Sequence, residues 1–190
     1  IGYDAFKNVT FSDRDIVLPD SLKFISGAAF RNTNIESIHI GKNADFVMTD
    51  EYHFGVDIDA TEIKYNTQYS NEPFVANCKS LSVITVDNEN PNFSVEGNVL
   101  LSKDRSVLWS YPAGLSRCSY TIPRDVKYIA YHAFFDAKFE QLVIPNTIED
   151  LGDQAFAGIT ADSISFEKGF KLTELPYGTF SSCTIKSGIV

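Results

Sequence analysis

The apolar positions along the chain fall into a short recurring frame rather than a helical period. An Ala-Phe dipeptide appears at Ala5-Phe6, Ala29-Phe30, Ala133-Phe134 and Ala155-Phe156, with Thr179-Phe180 as a near match. The gaps between those Phe residues are 24, 104, 22 and 24. An apolar residue followed by proline stands at Leu18-Pro19, Ile122-Pro123 and Ile144-Pro145, and each proline lies 11 residues before a Phe. Counting from the proline, the third position is Leu22, Val126 or Ile148, and the sixth is Ile25, Ile129 or Leu151. After the Phe, apolar residues return at the eighth and tenth positions: Ile38 and Ile40, Leu142 and Ile144, Ile164 and Phe166. A last copy, stretched by two residues, runs Phe166, Leu172, Leu175, Phe180.

This frame predicts a unit of 22 to 24 residues. Each unit is a short strand, a proline turn, a second extended or bent segment, and a tight turn anchored by Phe. No segment keeps a 3.6-residue apolar period for the ~10–12 residues of an ordinary helix. A single unit cannot bury its own apolar side, whereas stacked copies form a continuous core. The expectation is a solenoid of roughly seven or eight coils, with parallel strands on one face and the Phe rings in a column.

Two stretches interrupt the count. Gly41 takes the place of the proline after Ile40, yet the next anchor, Phe74-Val75, follows only after 33 or 34 residues. Residues 42–73 are therefore read as a divergent repeat around Phe54 or as an insertion. They are acidic: Asp45, Asp50, Glu51, Asp57, Asp59, Glu62 and Glu72 stand against Lys42 and Lys64, net −5 of the chain's −9. Residues 88–112 form the second interruption. There Asn98–Ser102 and Ser106–Tyr111 flank Lys103-Asp104-Arg105, which reads as a hairpin.

These residues resemble the BspA-like, or Treponema-type, leucine-rich repeat family. The resemblance rests on Ile122-Pro-x-x-Val126-x-x-Ile129-x-x-x-Ala133-Phe134 and on Ile144-Pro-x-x-Ile148-x-x-Leu151-Gly152-x-x-Ala155-Phe156. It extends to Val75-x-x-Cys78-x-x-Leu81-x-x-Ile84-x-Val86, and to a hairpin insertion from Asn90-Pro-Asn-Phe-Ser94 to Tyr111-Pro112. The resemblance implies a single α/β, β-rich leucine-rich-repeat domain over residues 1–190. It would be a right-handed superhelix with a parallel concave sheet. It also implies a protein exported to the cell surface or secreted, of the adhesin type, that binds extracellular or host proteins. The family carries no shared active site, and a fold alone does not give a function.

Composition narrows the rest. The chain has 190 residues, 44% hydrophobic and 22% charged, which is globular in kind. A net charge of −9 leaves no cationic excess for a nucleic-acid backbone. No stretch reaches the ~20 apolar residues of a membrane span. The ends, Ile1-Gly2 and Gly188-Ile189-Val190, lack polar capping segments, so a piece of a longer protein is expected.

Cys78, Cys118 and Cys183 are odd in number and widely spaced, which suits buried thiols rather than a disulfide framework or zinc site. His39, His53 and His132 lie in no catalytic signature. No cofactor, metal or enzymatic activity is expected. Asp57-Ile-Asp59 lacks the remaining ligands of a calcium loop and reads as solvated acid. Phe93, Trp109 and Tyr111 have the ring chemistry to stack on a sugar, but their strand spacing suits packing under the hairpin.

If the eighth and tenth positions after Phe point inward, the residues between and before them face out. They are Asp15 and Val17, Ser37 and His39, Val83 and Thr85, Ser119 and Thr121, Gln141 and Val143, Ser163 and Ser165. This small, mostly uncharged ladder suits a protein or glycan surface, and equally a strand open to water. The leading expectation is a non-catalytic interaction module whose sheet face or acidic insert (Asp45, Asp50, Glu51, Asp57, Asp59 and Glu62) meets an extracellular protein, or a glycan. A spacer holding another domain off the cell surface and a carbohydrate-binding module are the alternatives.

Overall fold

The computed structural model describes residues 1–47, 73–115 and 117–189. The first part carries β1 (Asp15–Val17), β2 (Phe24–Ser26), β3 (Ser37–Ile40), β4 (Asp45–Val47) and β5 (Val83–Val86). The middle carries β6 (Phe93–Glu96), β7 (Val99–Ser102) and β8 (Val107–Ser110). The last part carries β9 (Arg117–Thr121), β10 (Tyr128–Ile129), β11 (Lys138–Ile144), β12 (Asp150–Leu151), β13 (Thr160–Phe166) and β14 (Thr184–Ile185). There is no helix among the described residues. The described residues form a β-solenoid of about six turns with parallel sheets, where the spacing suggests seven or eight coils, and no helix among them bears out the α part of the α/β expectation.

One face is built of parallel ladders, β1-β3-β5 and β9-β11-β13-β14. A neighbouring face holds the parallel pair β2-β4 and a five-stranded sheet ordered β12-β10-β8-β7-β6. Each proline ends a face strand, because it cannot donate to a ladder. Its carbonyl then accepts from the residue three places on: Leu22 N at 2.9 Å, Val126 N at 3.1 Å and Ile148 N at 3.4 Å. That turn swings the apolar third position back under the coil. Val126 and Ile148 are fully buried there.

The Phe corner is bracketed by left-handed residues two places before and two after the ring. Before it stand Asp4, Ala28, His132, Gln154 and Gly178; after it stand Asn8, Asn32, Asp136, Gly158 and Ser182, all with φ between 54° and 72°. Asn, Asp and Gly tolerate this region best, and they dominate the second set. Asn77 at φ 56° fixes the third corner on Val75, with Phe74 in the alanine's place.

The rings stack along the axis. Centroids are 5.0 Å apart for Phe6–Phe30 and Phe134–Phe156, and 5.3 Å for Tyr111–Phe134 and Phe156–Phe180. That spacing matches the ~4.8 Å between neighbouring strands, so each ring lies on the next in offset register. Tyr111 thus takes the anchor position in the coil that carries the hairpin.

The strands expected on either side of Lys103-Asp104-Arg105 are β7 and β8, paired antiparallel with a bulge at Leu100/Leu101. A further strand, β6, joins them through Gly97-Asn98, both at positive φ, the dihedral signature of a type I′ hairpin turn. Through β8 and β10 this meander merges with the solenoid wall. Phe93, Trp109 and Tyr111 are 2%, 8% and 2% exposed, so they are core residues rather than a sugar platform.

Candidate functional site

The twelve outward positions line up in register. Asp15, Ser37 and Val83 form one row of the first ladder, and Val17, His39 and Thr85 the next. In the second ladder, Ser119, Gln141 and Ser163 form one row and Thr121, Val143 and Ser165 the other. All twelve are exposed or half-exposed. Between the rows, Ile38 and Ile84 face the core, as do Tyr120, Leu142 and Ile164. This alternation is what a period of two requires of a sheet with one wet face.

The two ladders differ chemically. In the first, Ser37 Oγ donates to Asp15 Oδ1 at 2.6 Å, and His39 Nδ1 lies 2.9 Å from Thr85 Oγ1. Val17 and Val83 are 70% and 38% exposed, giving this panel two apolar spots. The second panel carries hydroxyls, one amide and Val143, with no charge in its two rows.

A charged line runs beside both panels, one residue before the outward rows. It holds the Arg14–Glu36 and Lys186–Asp162 ion pairs, the latter at 2.6 Å. The Asp162 carboxylate pushes the Lys186 ammonium above its ordinary range, chiefly through that hydrogen bond. The pattern reading passed over these residues, although Arg14, Glu36 and Asp162 each directly precede an outward residue of the frame. In β11 both Glu140 and Gln141 face solvent while Phe139 and Leu142 are buried, so the strand bends where line and panel meet.

Among the described residues, Cys78, Cys183 and His132 do not converge on the panels. Cys78 is buried, and its S–H reaches Phe30 O at 3.1 Å. Burial raises its thiol pKa, partly opposed by hydrogen bonding to Thr33. Cys183 repeats the arrangement on Phe156 O at 3.1 Å and is half-buried, with its pKa likewise raised by burial. The Cys118 side chain and His53 lie outside the described residues. His132 is buried in a left-handed corner, its Nε2 3.3 Å from Gln154 Oε1.

Of the acidic stretch, Asp45 opens β4, its amide bonded to Lys23 O at 2.9 Å. Asp50, Glu51, Asp57, Asp59, Glu62 and Glu72 lie outside the described residues. Among the described residues no cluster of His, Cys, Asp or Glu is arranged to hold a metal, and no helix is long and apolar enough to cross a membrane.

Comparison with known proteins agrees with this geometry. Residues 1–96 and 114–189 match a family model described as BspA type leucine rich repeat region, in six copies. No curated protein matches the chain. Among solved structures, a leucine rich cell surface protein from Faecalibacterium prausnitzii is similar with a TM-score of 0.66 at 21% identity, over 95% of this chain and 48% of that one. A leucine-rich repeat protein from Eubacterium ventriosum is similar with a TM-score of 0.63 at 21% identity, over 90% of this chain and 46% of that one. The pneumococcal vaccine antigen PcpA gives 0.50 at 16% identity, over 93% and 56%. The chain spans about half the length of these structures, and at such identity they speak for the fold alone.

Proposed function

Because the chain belongs to the BspA-type leucine-rich repeat family, we propose that it is a non-catalytic module that binds an extracellular or host protein through its parallel-sheet face. The observation that carries this reading is the register of the twelve outward residues. Side chains from six strands of separate coils form rows of three at strand spacing, backed by a packed core that keeps them from sinking inward. Short hydroxyls and amides lose little side-chain entropy when covered, and they accept or donate hydrogen bonds in several directions. The similar Faecalibacterium structure is described as a cell surface protein. Export to the cell surface, or secretion, and an adhesin-like role are part of the same proposal.

Immobilised extracellular-matrix and host-surface proteins probed with the native chain test it. The control chain carries Ser37→Arg, Thr121→Arg and Gln141→Arg, substitutions on exposed or half-exposed positions that leave the core alone. The expectation is capture by the native chain and loss of at least about tenfold in affinity for the triple variant, or ~1.4 kcal/mol. Equal capture by both would move binding off this face. No capture by either would favour a spacer role. A sugar-binding role on the hairpin aromatics loses its surface, because those rings are buried.

A further inference from the structure

We infer that the solenoid is divided by a flexing seam, between the coil that ends in β5 and the coil that ends in β9. The inference stands apart from any particular partner. Elsewhere the anchor amides join the coils along the Phe corner, although Ala113, two residues after Tyr111, makes no second bond among the described residues. Phe6, Phe30, Tyr111, Phe134 and Phe156 each donate their amide to the next coil, at 2.7 to 3.0 Å. Two residues on, Asn8, Asn32, Asp136 and Gly158 do the same, at 2.9 to 3.2 Å. In that register Val75 N would meet Ser110 O, and Asn77 N would meet Pro112 O. Among the described residues neither bond is made.

The face ladder breaks at the same place. β5 pairs with β3 and β9 pairs with β11, but β5 and β9 belong to separate sheets. The side wall breaks too, since β2-β4 and the five-stranded sheet are separate. Among the described residues, three hydrogen-bonded seams therefore open between the same two coils, where a solenoid ordinarily draws its nearest-neighbour stability.

The packing carries the same mark. Asn77 Oδ1 is buried without a hydrogen-bond partner, a rare state in a settled interior. A cavity of about 10 Å³ lies beside it, lined by Val75, Cys78 and Leu81 from one side and by Tyr111 and His132 from the other. Among the described residues, Gly114 N to Leu81 O at 2.8 Å and the Lys79–Asp136 ion pair at 2.8 Å cross the seam, beside Phe74 facing Leu100 and Trp109. Asn90 adds a firm tie at one edge, holding Gly41 and Ala44. A buried amide tie at one edge, beside ladders that break, makes a pivot.

The outward residues then move as two blocks of six. Asp15, Ser37 and Thr85 travel with the first arm; Ser119, Gln141 and Ser163 travel with the second. Their mutual angle is soft, and anything touching both panels sets it.

Pulsed electron paramagnetic resonance on the full 190-residue chain tests this, with nitroxide side chains placed by stop-codon suppression at exposed positions. One pair, Asp13 and Lys168, spans the seam. The other, Glu96 and Lys168, lies within the second arm. The expected distance distribution is at least about twofold broader for the spanning pair. Equal widths would overturn the inference. Hydrogen exchange on the unmodified chain gives a second reading: the Gly114 amide should exchange faster than the Gly152 amide, which bonds Ile129 O at 2.7 Å within the second arm. Equal or slower exchange at Gly114 would count against the seam.

Discussion

Asn90 reaches back 49 residues to the carbonyl of Gly41, with Nδ2 2.8 Å from the oxygen. The same amide nitrogen donates to Ala44 O at 2.9 Å, and Oδ1 accepts from Asn92 N and Phe93 N at 2.8 and 2.9 Å. The side chain is fully buried, and every bond it makes is to backbone. One residue thus ties the start of the hairpin to the second coil. Gly41 is its fitting counterpart, since a Cβ there would sit 2.8 Å from Leu18 O.

Asn90→Ala should therefore be among the most damaging single changes in the chain. It strands two carbonyls and two amides in a closed interior, at an expected cost of about 2–3 kcal/mol. Urea melts of this variant beside Asn88→Ala measure it. The exposed Asn88 should change stability by less than ~0.5 kcal/mol, and comparable losses for both would refute the tie.

The column of rings predicts a gradient. Phe134 is fully buried and stacks on both Tyr111 and Phe156. Phe180 is half-buried and stacks on Phe156 alone among anchor rings. Phe134→Ala should cost about 3–5 kcal/mol, and Phe180→Ala roughly half of that. Equal losses in calorimetric unfolding would mean that stacking on a second neighbour contributes nothing.

Backbone geometry at the corners makes a pair of opposite predictions. Ala28 sits at φ 54° with its side chain buried, a conformation that disfavours a Cβ by ~1–2 kcal/mol. Ala28→Gly relieves that and loosens the unfolded chain by ~0.4–1 kcal/mol, leaving a net gain of about 0.5 kcal/mol. Gly152→Ala should do the reverse, because the new Cβ would collide with the backbone at Tyr131 N and Ala130 C. Denaturation midpoints that fall for the first variant or hold for the second would contradict the corner geometry.

Acid should loosen the hairpin tip. Asp104 accepts from Ser102 Oγ at 2.6 Å, Ser106 N at 3.0 Å and Ser106 Oγ at 2.8 Å. The Ser102 hydroxyl, then the Ser106 amide and hydroxyl, hold its carboxyl below the ordinary 3.8. A depressed native pKa stabilises the fold above the unfolded value, and the benefit drains away as pH falls through the native one. Asp104→Asn should flatten this loss, so the midpoint difference between pH 6 and pH 3 shrinks relative to the native chain. An unchanged slope would place the acid sensitivity elsewhere.

Much of this architecture is written in local spacing. A period of two decides which of Ser37, Ile38, His39 and Ile40 face out, and the Pro-to-Phe offset fixes how neighbouring coils align. The rows of the sheet face were therefore readable before any coordinates. Local spacing is blind where two solutions bury equally well. Phe74 and Val75 are both apolar, and only the left-handed Asn77 selects Val75 as the corner. Gly97-Asn98 carried a legible turn signal that the stronger alternation around Lys103–Arg105 overshadowed. The seam left no trace, because a missing bond between Asn77 N and Pro112 O depends on coils that meet in space, not on residues that follow in sequence.

The 5.0 Å between Phe134 and Phe156 has a meaning for economy of reach. Each advance of that size consumes 22 residues of chain. The same residues wound as an α-helix would extend about 33 Å. A protein selected to hold something at a distance would be using its chain some six times less efficiently than a helix does. What the coils yield in return is breadth: every turn adds another rigid rung to a face, and almost nothing to length.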